Sequence, residues 1–209
     1  MGYDNGVDAT LSVRSADLCD SNDNDRTSSV WIMIEEDNGF GYAQIGYIWD
    51  SNLCCLRHFW QWTPNGGVAG QTYTAYFGSP SPGESDSYKV YRDTSDHNIH
   101  MHINGSSAPC SQEQVCAETD FDPHSRWPDG AHVAIYGEVN YPGSDISGGD
   151  QSRVHVSSIL VKEGNDDYSA PSKWNPDVFC PAFFHMESVT DFVHFTIWTD
   201  PLGHGSRCQ

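Results

Sequence analysis

"GYAQIGYIW", Gly41 to Trp49, alternates in a way that fixes the reading of the whole chain. Successive side chains of a strand point to opposite faces. Ala43, Ile45, Tyr47 and Trp49 therefore share one face, and Tyr42, Gln44, Gly46 and Ile48 share the other. The first face suits a core; the second carries an amide among aromatic and small residues. Two other segments divide the same way. Over 98–104, Ile99, Met101 and Ile103 oppose Asn98, His100, His102 and Asn104. Over 131–140, Val133, Ile135 and Val139 oppose His132, Ala134, Tyr136, Glu138 and Asn140. If these second faces belong to one curved sheet, they form a polar, aromatic-lined groove.

β-branched and aromatic residues dominate the apolar segments, with Gly, Pro, Asn, Asp and Ser between them. Strands are expected near 7–13, 29–36, 41–49, 57–63, 72–78, 86–92, 98–104, 131–140, 152–162, 183–189 and 192–199. A short helix fits "APCSQEQVCAET" (108–119), and 20–29 and 163–177 read as long loops. Strands at this spacing point to an all-β fold, a jelly-roll or concanavalin-like β-sandwich of two antiparallel sheets. No Pro/Ser linker divides residues 1–209, so a single domain is expected.

The net charge of −19, from 29 acidic residues against 10 Lys plus Arg, argues against nucleic acid and anionic membrane as partners. It fits an extracellular protein, a calcium binder or one that works in acid, where carboxylates are protonated and histidines charged. Seven scattered cysteines without a CxxC favour disulfides in a secreted chain. Pairings of Cys110 with Cys116, Cys180 with Cys208, and Cys19 with Cys54 or Cys55 are all open, and an odd cysteine is left for a disulfide-linked partner. No apolar run approaches the ~20 residues of a membrane span. "MGYDNGVDAT" has no signal-peptide character, and a leader removed ahead of it is expected.

Three constellations carry chemistry. Gln44 and Glu138 form the first: a carboxylate acts as general base on a water, and an amide holds that water and donates to the developing oxyanion. Gly46 and Gly137 leave room beside them. The plainer reading is that both face solvent. The second is His100 and His102, two imidazoles on one strand face, with His97 nearby and His132 able to join them for zinc or copper if the strands are neighbours. A polar face of titrating histidines is the alternative, and no metal is assigned. The third is Asp20, Asn22, Asp23, Asn24 and Asp25, oxygen ligands spaced as in calcium loops but without the glycine and distal glutamate of an EF-hand. A solvated loop is the alternative to calcium there, and no cofactor is assigned.

"SSVWIMIEEDNGFGYAQIGYIW" followed by "RHFWQWTPNGG" resembles the core of the glutamic peptidases, secreted jelly-roll enzymes comprising the fungal eqolisins and the plant neprosins. Trp31-Ile32-Met33-Ile34 is similar to the eqolisin W-V-G-I strand, Gln44-Ile45-Gly46 to Q-T-G, and Trp60-Gln61-Trp62-Thr63-Pro64 to Y-E-W-Y-P. "YGEVNYPGSDISGG" (136–149) resembles the neprosin G-G-E-V segment, which places Glu138 in the second catalytic role. "FGSPSPGESDSYKVYRDTSDHNIHMHING" (77–105) is similar to the family's turn and two strands. The Gln/Glu pair follows eqolisin chemistry and departs from the two Glu of neprosins; the eqolisin A-E-W segment is absent. Chains of this type also look like secreted actinobacterial proteins, and 165–209 reads as an extension particular to such a family.

The resemblance implies a secreted hydrolase that cleaves peptides with a water held between Glu138 and Gln44, without metal or covalent intermediate. Trp60, Trp62, Tyr42 and Tyr136 would line its groove, although core packing suits the two tryptophans equally. The competing readings are a non-catalytic carbohydrate-binding module stacking sugars on those tryptophans, and a structural surface protein linked through the odd cysteine.

Overall fold

The structure, a computed structural model, describes residues 4–16, 26–36, 41–53, 55–63, 72–93, 95, 99–108, 131–139, 153–164, 167–173, 175–176, 184–190 and 192–199. Among these there is no helix, and the strands form two antiparallel sheets packed face to face. The elements are β1 (Asp4–Ser12), β2 (Thr27–Glu36), β3 (Tyr42–Asp50), β4 (Cys55–Thr63), β5 (Tyr73–Phe77), β6 (Ser85–Arg92), β7 (Ile99–Ile103), β8 (Ser106–Ser107), β9 (Ala131–Val139), β10 (Val154–Glu163), β11 (Tyr168–Ser169), β12 (Phe184–Thr190) and β13 (His194–Thr199). One sheet runs β5-β4-β3-β2-β9. The other runs β12-β13-β10-β1-β6-β7-β8, with β11 paired to β10.

Alternation decides what each strand buries. Val30, Ile32, Ile34, Ala43, Ile45 and Tyr47 from the first sheet meet Val7, Ala9, Leu11, Tyr88, Val90, Val154 and Val156 from the second, all of them fully buried. β1 lies over β2 and β9, and β6 over β2 and β3. Two buried phenols cross between the sheets. Tyr47 donates to the Ser12 carbonyl at 3.0 Å, and the Tyr88 hydroxyl lies 2.9 Å from His58 Nδ1. β10 changes parity midway: Val154 and Val156 point inward, then Ile159 and Val161. The change is a bulge, with Ser158 in the left-handed region (φ 54°) and a register shift between Asp8 and Thr10.

Each of the eleven expected strands is present within a few residues; β8 and β11 are additional, and β11 interrupts the expected 163–177 loop. The cysteine pairings, the 108–119 helix beyond Ala108, His97 and the Asp20–Asp25 loop lie outside the described residues, as does the side chain of Cys55.

Candidate functional site

The five-stranded sheet has a second face, turned away from the other sheet. On it β2 sets four cross-strand rows. Glu138, Ser29, Ile48 and Arg57 form the first, and Tyr136, Trp31, Gly46 and Phe59 the second. Ala134, Met33, Gln44, Gln61 and Thr74 form the third, and His132, Glu35, Tyr42 and Thr63 the fourth. Trp31, Met33, Ile48 and Phe59 pack into a small apolar cluster on this face, flanked by Tyr42 and Ala134. They make an apolar floor on which the polar groups stand.

Gln44 is 9% exposed and its amide is fixed. Its Nε2 donates to Gln61 Oε1 at 3.0 Å, the same oxygen accepts from the Tyr42 hydroxyl at 2.7 Å, and Gln61 Nε2 donates to Thr74 Oγ1 at 2.9 Å. A primary amide has two N–H donors, so this bond leaves Gln44 with a second N–H to offer a ligand. On the far side of β2, Glu138 accepts the indole N–H of Trp31 at 3.2 Å, and the Trp31 ring packs on Tyr136 with centroids 4.8 Å apart. Tyr136 is 42% exposed.

Gln44 and Glu138 thus share the open face but do not stand on adjacent strands: β2 lies between them. They are also two rows apart, which on a flat sheet separates their Cα atoms by ~16 Å. Burial chiefly raises the Tyr42 phenol above its ordinary value, a hydrogen bond with Thr72 works against this, and the Glu138 charge adds to the rise. Glu138 is therefore felt at the hydroxyl that shares Gln61 with Gln44.

Glu35 occupies the fourth row, between Tyr42 and His132. Burial raises its carboxyl above the usual range, and His132 partly offsets the rise. A cavity of about 930 Å³ runs along β9, lined on this face by Trp31, Met33, Glu35, His132, Tyr136 and Glu138.

Other expected site residues lie elsewhere. Trp60 and Trp62 are not groove residues. Trp60 pairs with Ile45 and is fully buried, and Trp62 pairs with Ala43 and stacks on Tyr73 at 4.7 Å, so parity sends both into the core. His132 cannot join His100 and His102, because β9 and β7 belong to different sheets. His100 and His102 stand on the outer side of the eight-stranded sheet, where Tyr91 lies 5.1 Å from the His100 ring and 5.7 Å from that of His102. Among the described residues no three His, Cys, Asp or Glu side chains gather for a metal. Gly46 makes room for protein: a Cβ there would lie 2.7 Å from Trp31 Cα and strike the Val30 carbonyl.

Gln61, Glu35 and Trp31 were missed from the sequence. Gln61 carried a signal, a polar residue alternating with Trp60 and Trp62. Trp31 carried none, because "VWIMI" is apolar on both faces.

No protein-family model and no curated protein matches the chain. Two solved structures of scytalido-glutamic peptidase are similar to it. One, with a peptide-based transition-state analogue, aligns at a TM-score of 0.55 and 15% identity over 95% of this chain and 93% of that one. The other, with a transition-state analogue inhibitor, gives 0.53 and 15% over 94% and 92%. At that identity the likeness is one of fold, and the chain has the glutamic-peptidase fold.

Proposed function

We propose that this chain is a secreted glutamic-peptidase-like hydrolase, with Glu138 and Gln44 acting on a peptide bond bound across β2. One observation carries the reading. In a fold shared with scytalido-glutamic peptidase over nearly the whole chain, an amide and a carboxylate rise from the same open face on either side of one strand. That enzyme accommodates a peptide-based analogue, which favours an extended peptide as substrate here.

Ionised Glu138 takes a proton from water as the water oxygen bonds to the carbonyl carbon. The negative charge forms on the carbonyl oxygen, where the second N–H of Gln44 stabilises it. Collapse of this intermediate breaks the C–N bond, and the proton held by Glu138 passes to the leaving amine, which returns Glu138 to its ionised form. Trp31 orients Glu138 through its indole N–H, and Gln61 orients Gln44. Tyr136, exposed beside Trp31, offers an apolar contact for a substrate side chain.

The test is cleavage of an unfolded protein at pH ~4, where ordinary carboxylates begin to protonate. Glu138→Gln is expected to lower kcat/KM at least ~100-fold, and Gln44→Ala by a comparable factor. Wild-type rates in Glu138→Gln would exclude the mechanism.

Carbohydrate binding retains one supporting observation, the Trp31–Tyr136 pair, since Trp60 and Trp62 are in the core. Retention on a polysaccharide, lost in Tyr136→Ala and accompanied by no proteolysis, would favour it.

A further inference from the structure

The eight-stranded sheet also has a face turned away from the core, and it gathers cations. At one corner β10 and β13 bring His155 Nδ1 to 3.4 Å from His194 Nε2. Arg153 lies 3.6 Å over the Trp198 ring and pairs with Glu187, and Arg14 donates to the Arg153 carbonyl at 3.3 Å. His185 of β12 stacks on the same indole at 5.2 Å. Diagonally across the sheet, β6 and β7 set His100 and His102 beside Lys89 and Tyr91, with Lys162 of β10 at 5.9 Å from the Tyr91 ring. Lys89 is held 4.1 Å over the Tyr168 ring. Asp8 stands opposite Lys89 in this second cluster, and Asp93 borders it. Three strand spacings and about four residues along β1 separate the two clusters, ~20 Å on a flat lattice. Between them Ser157, Thr10 and Ser87 form a cross-strand rung of hydroxyls.

We propose that this face is a binding site for an acidic polysaccharide, a hydroxylated chain carrying repeated carboxylates, and that acid strengthens its grip. The inference is independent of the hydrolase reading, because Gln44 and Glu138 stand on the opposite side of the sandwich. Two cationic clusters ~20 Å apart suit a polymer long enough to reach both. The rung between them offers hydrogen bonds to sugar hydroxyls, which an acidic peptide lacks along its backbone. Charge argues the same way. The chain carries −19 in all and only 10 Lys plus Arg. Arg14, Lys89, Arg153 and Lys162 nevertheless stand in these two clusters. Screening confines each charge to roughly 8–10 Å at ordinary salt. A ligand on this face therefore meets the local cations rather than the total.

Histidine supplies the pH dependence, since its charge changes between about pH 8 and 5. Burial chiefly lowers His102; His100 and Lys89 add to the effect, while the Gly105 backbone and Asp8 oppose it. Burial likewise lowers His155, and His194, Arg14 and Arg153 add to it. Each of these imidazoles takes its proton against neighbouring positive charge. Asp8, Asp93 and Glu187 nearly balance the four fixed cations, so the charged imidazoles are in excess. A carboxylate seated in either cluster reverses the penalty on the proton, so binding draws protons in and tightens as pH falls. Polymer carboxylates are still largely ionised at pH ~5.

The test is titration calorimetry of the protein with polygalacturonate in low salt at pH ~5 and ~7.5, on either side of histidine titration. Binding at the lower pH is expected to be ~10-fold tighter or more, the equivalent of one pKa unit shared among the imidazoles. It should weaken steeply with added salt and take up protons, read as an enthalpy that depends on the buffer. His155→Gln/His194→Gln and His100→Gln/His102→Gln are each expected to lose ~10-fold at pH ~5 and little at pH ~7.5. Monomeric galacturonate, unable to bridge the clusters, should bind ~100-fold more weakly than the polymer. Equal affinity at both pH values, double variants that bind like wild type, or no binding of polygalacturonate at pH ~5 each overturns the proposal. Polyglutamate of matched length is the control for charge without hydroxyls; equally tight binding of it overturns the assignment to a polysaccharide. Thermal melts establish that the variants are folded. Where a double variant is not, His194→Gln or His102→Gln takes its place, with ~3-fold weaker binding expected and wild-type binding overturning the proposal.

Discussion

Gln61 touches no substrate in the proposed mechanism, yet it sets the angle of the group that does. Its Oε1 receives both Tyr42 and Gln44, and its own amide is anchored on Thr74. Gln61→Leu keeps the volume and removes the acceptor. A positioned catalytic group displaced by about 1 Å costs on the order of 100-fold, so kcat should fall ~10–100-fold in Gln61→Leu with KM little changed. Steady-state kinetics on a peptide amide would show this split. Glu35 makes a second prediction, free of activity. Its folded carboxyl is raised above the unfolded value, so its contribution to stability is full at low pH and is lost as pH rises through the folded value. Glu35→Gln should therefore melt higher than wild type at pH 7 and nearly alike at pH 3.5, as thermal denaturation would record. Gln44 was legible because a lone amide interrupts an alternating strand. Glu35 was not, because Glu35 and Glu36 end a strand together and sequence gives no sign which carboxyl faces the site.

β2 is the element on which the site depends. It is paired on both sides, carries core residues on one face and the floor of the site on the other, and approaches β3 closely at Gly46. Gly46→Ala drives a methyl into the β2 backbone at Val30 and Trp31. It should cost ~3 kcal/mol or more, in the range reserved for overpacked cores. The damage should also reach the site, because Trp31 is the donor to Glu138. Denaturant unfolding gives the first effect, and the same variant's peptidase rate the second. The strands were readable almost throughout, since each of the eleven runs for at least five residues and most are rich in β-branched and aromatic residues. β8 and β11 have two residues each, too few for a period to show. The fate of Trp60 and Trp62 was open because β4 alternates large residues with large: Phe59 and Gln61 face the site while the tryptophans fill the core. Pairing with Ile45, which lies outside β4, is what resolves it.

At the scale of the molecule, His58 links the sheets through Tyr88, and burial holds its imidazole below the usual 6.5. For a base lowered in the folded state, the stabilising difference is full above 6.5 and is lost as pH falls through the folded value. Asp4, Asp8 and Glu35 are raised by burial and act in the opposite sense, most favourably below the carboxylate range. Melting temperature should therefore drop between pH 7 and 5 on account of His58, and His58→Gln should flatten that drop. An unchanged slope in the variant would remove His58 as the cause. The two-sheet architecture could be inferred from parity alone, but the assignment of strands to sheets could not. β7 and β9 both set apolar residues on one face against a histidine-bearing face, and they lie in different sheets.

β1 is sandwiched within its sheet between β6 and β10, pairing with 85–91 on one edge and with residues between 156 and 163 on the other. During synthesis the ribosome releases β1 long before β10. At ~5–20 residues per second, the stretch from Ser12 to Val154 occupies roughly 7–30 s. Throughout that interval one edge of an apolar strand is without its partner, an invitation to pair with another nascent chain. The growing polypeptide is thus exposed to mispairing until its last quarter emerges, and fragments ending before residue 154 should aggregate.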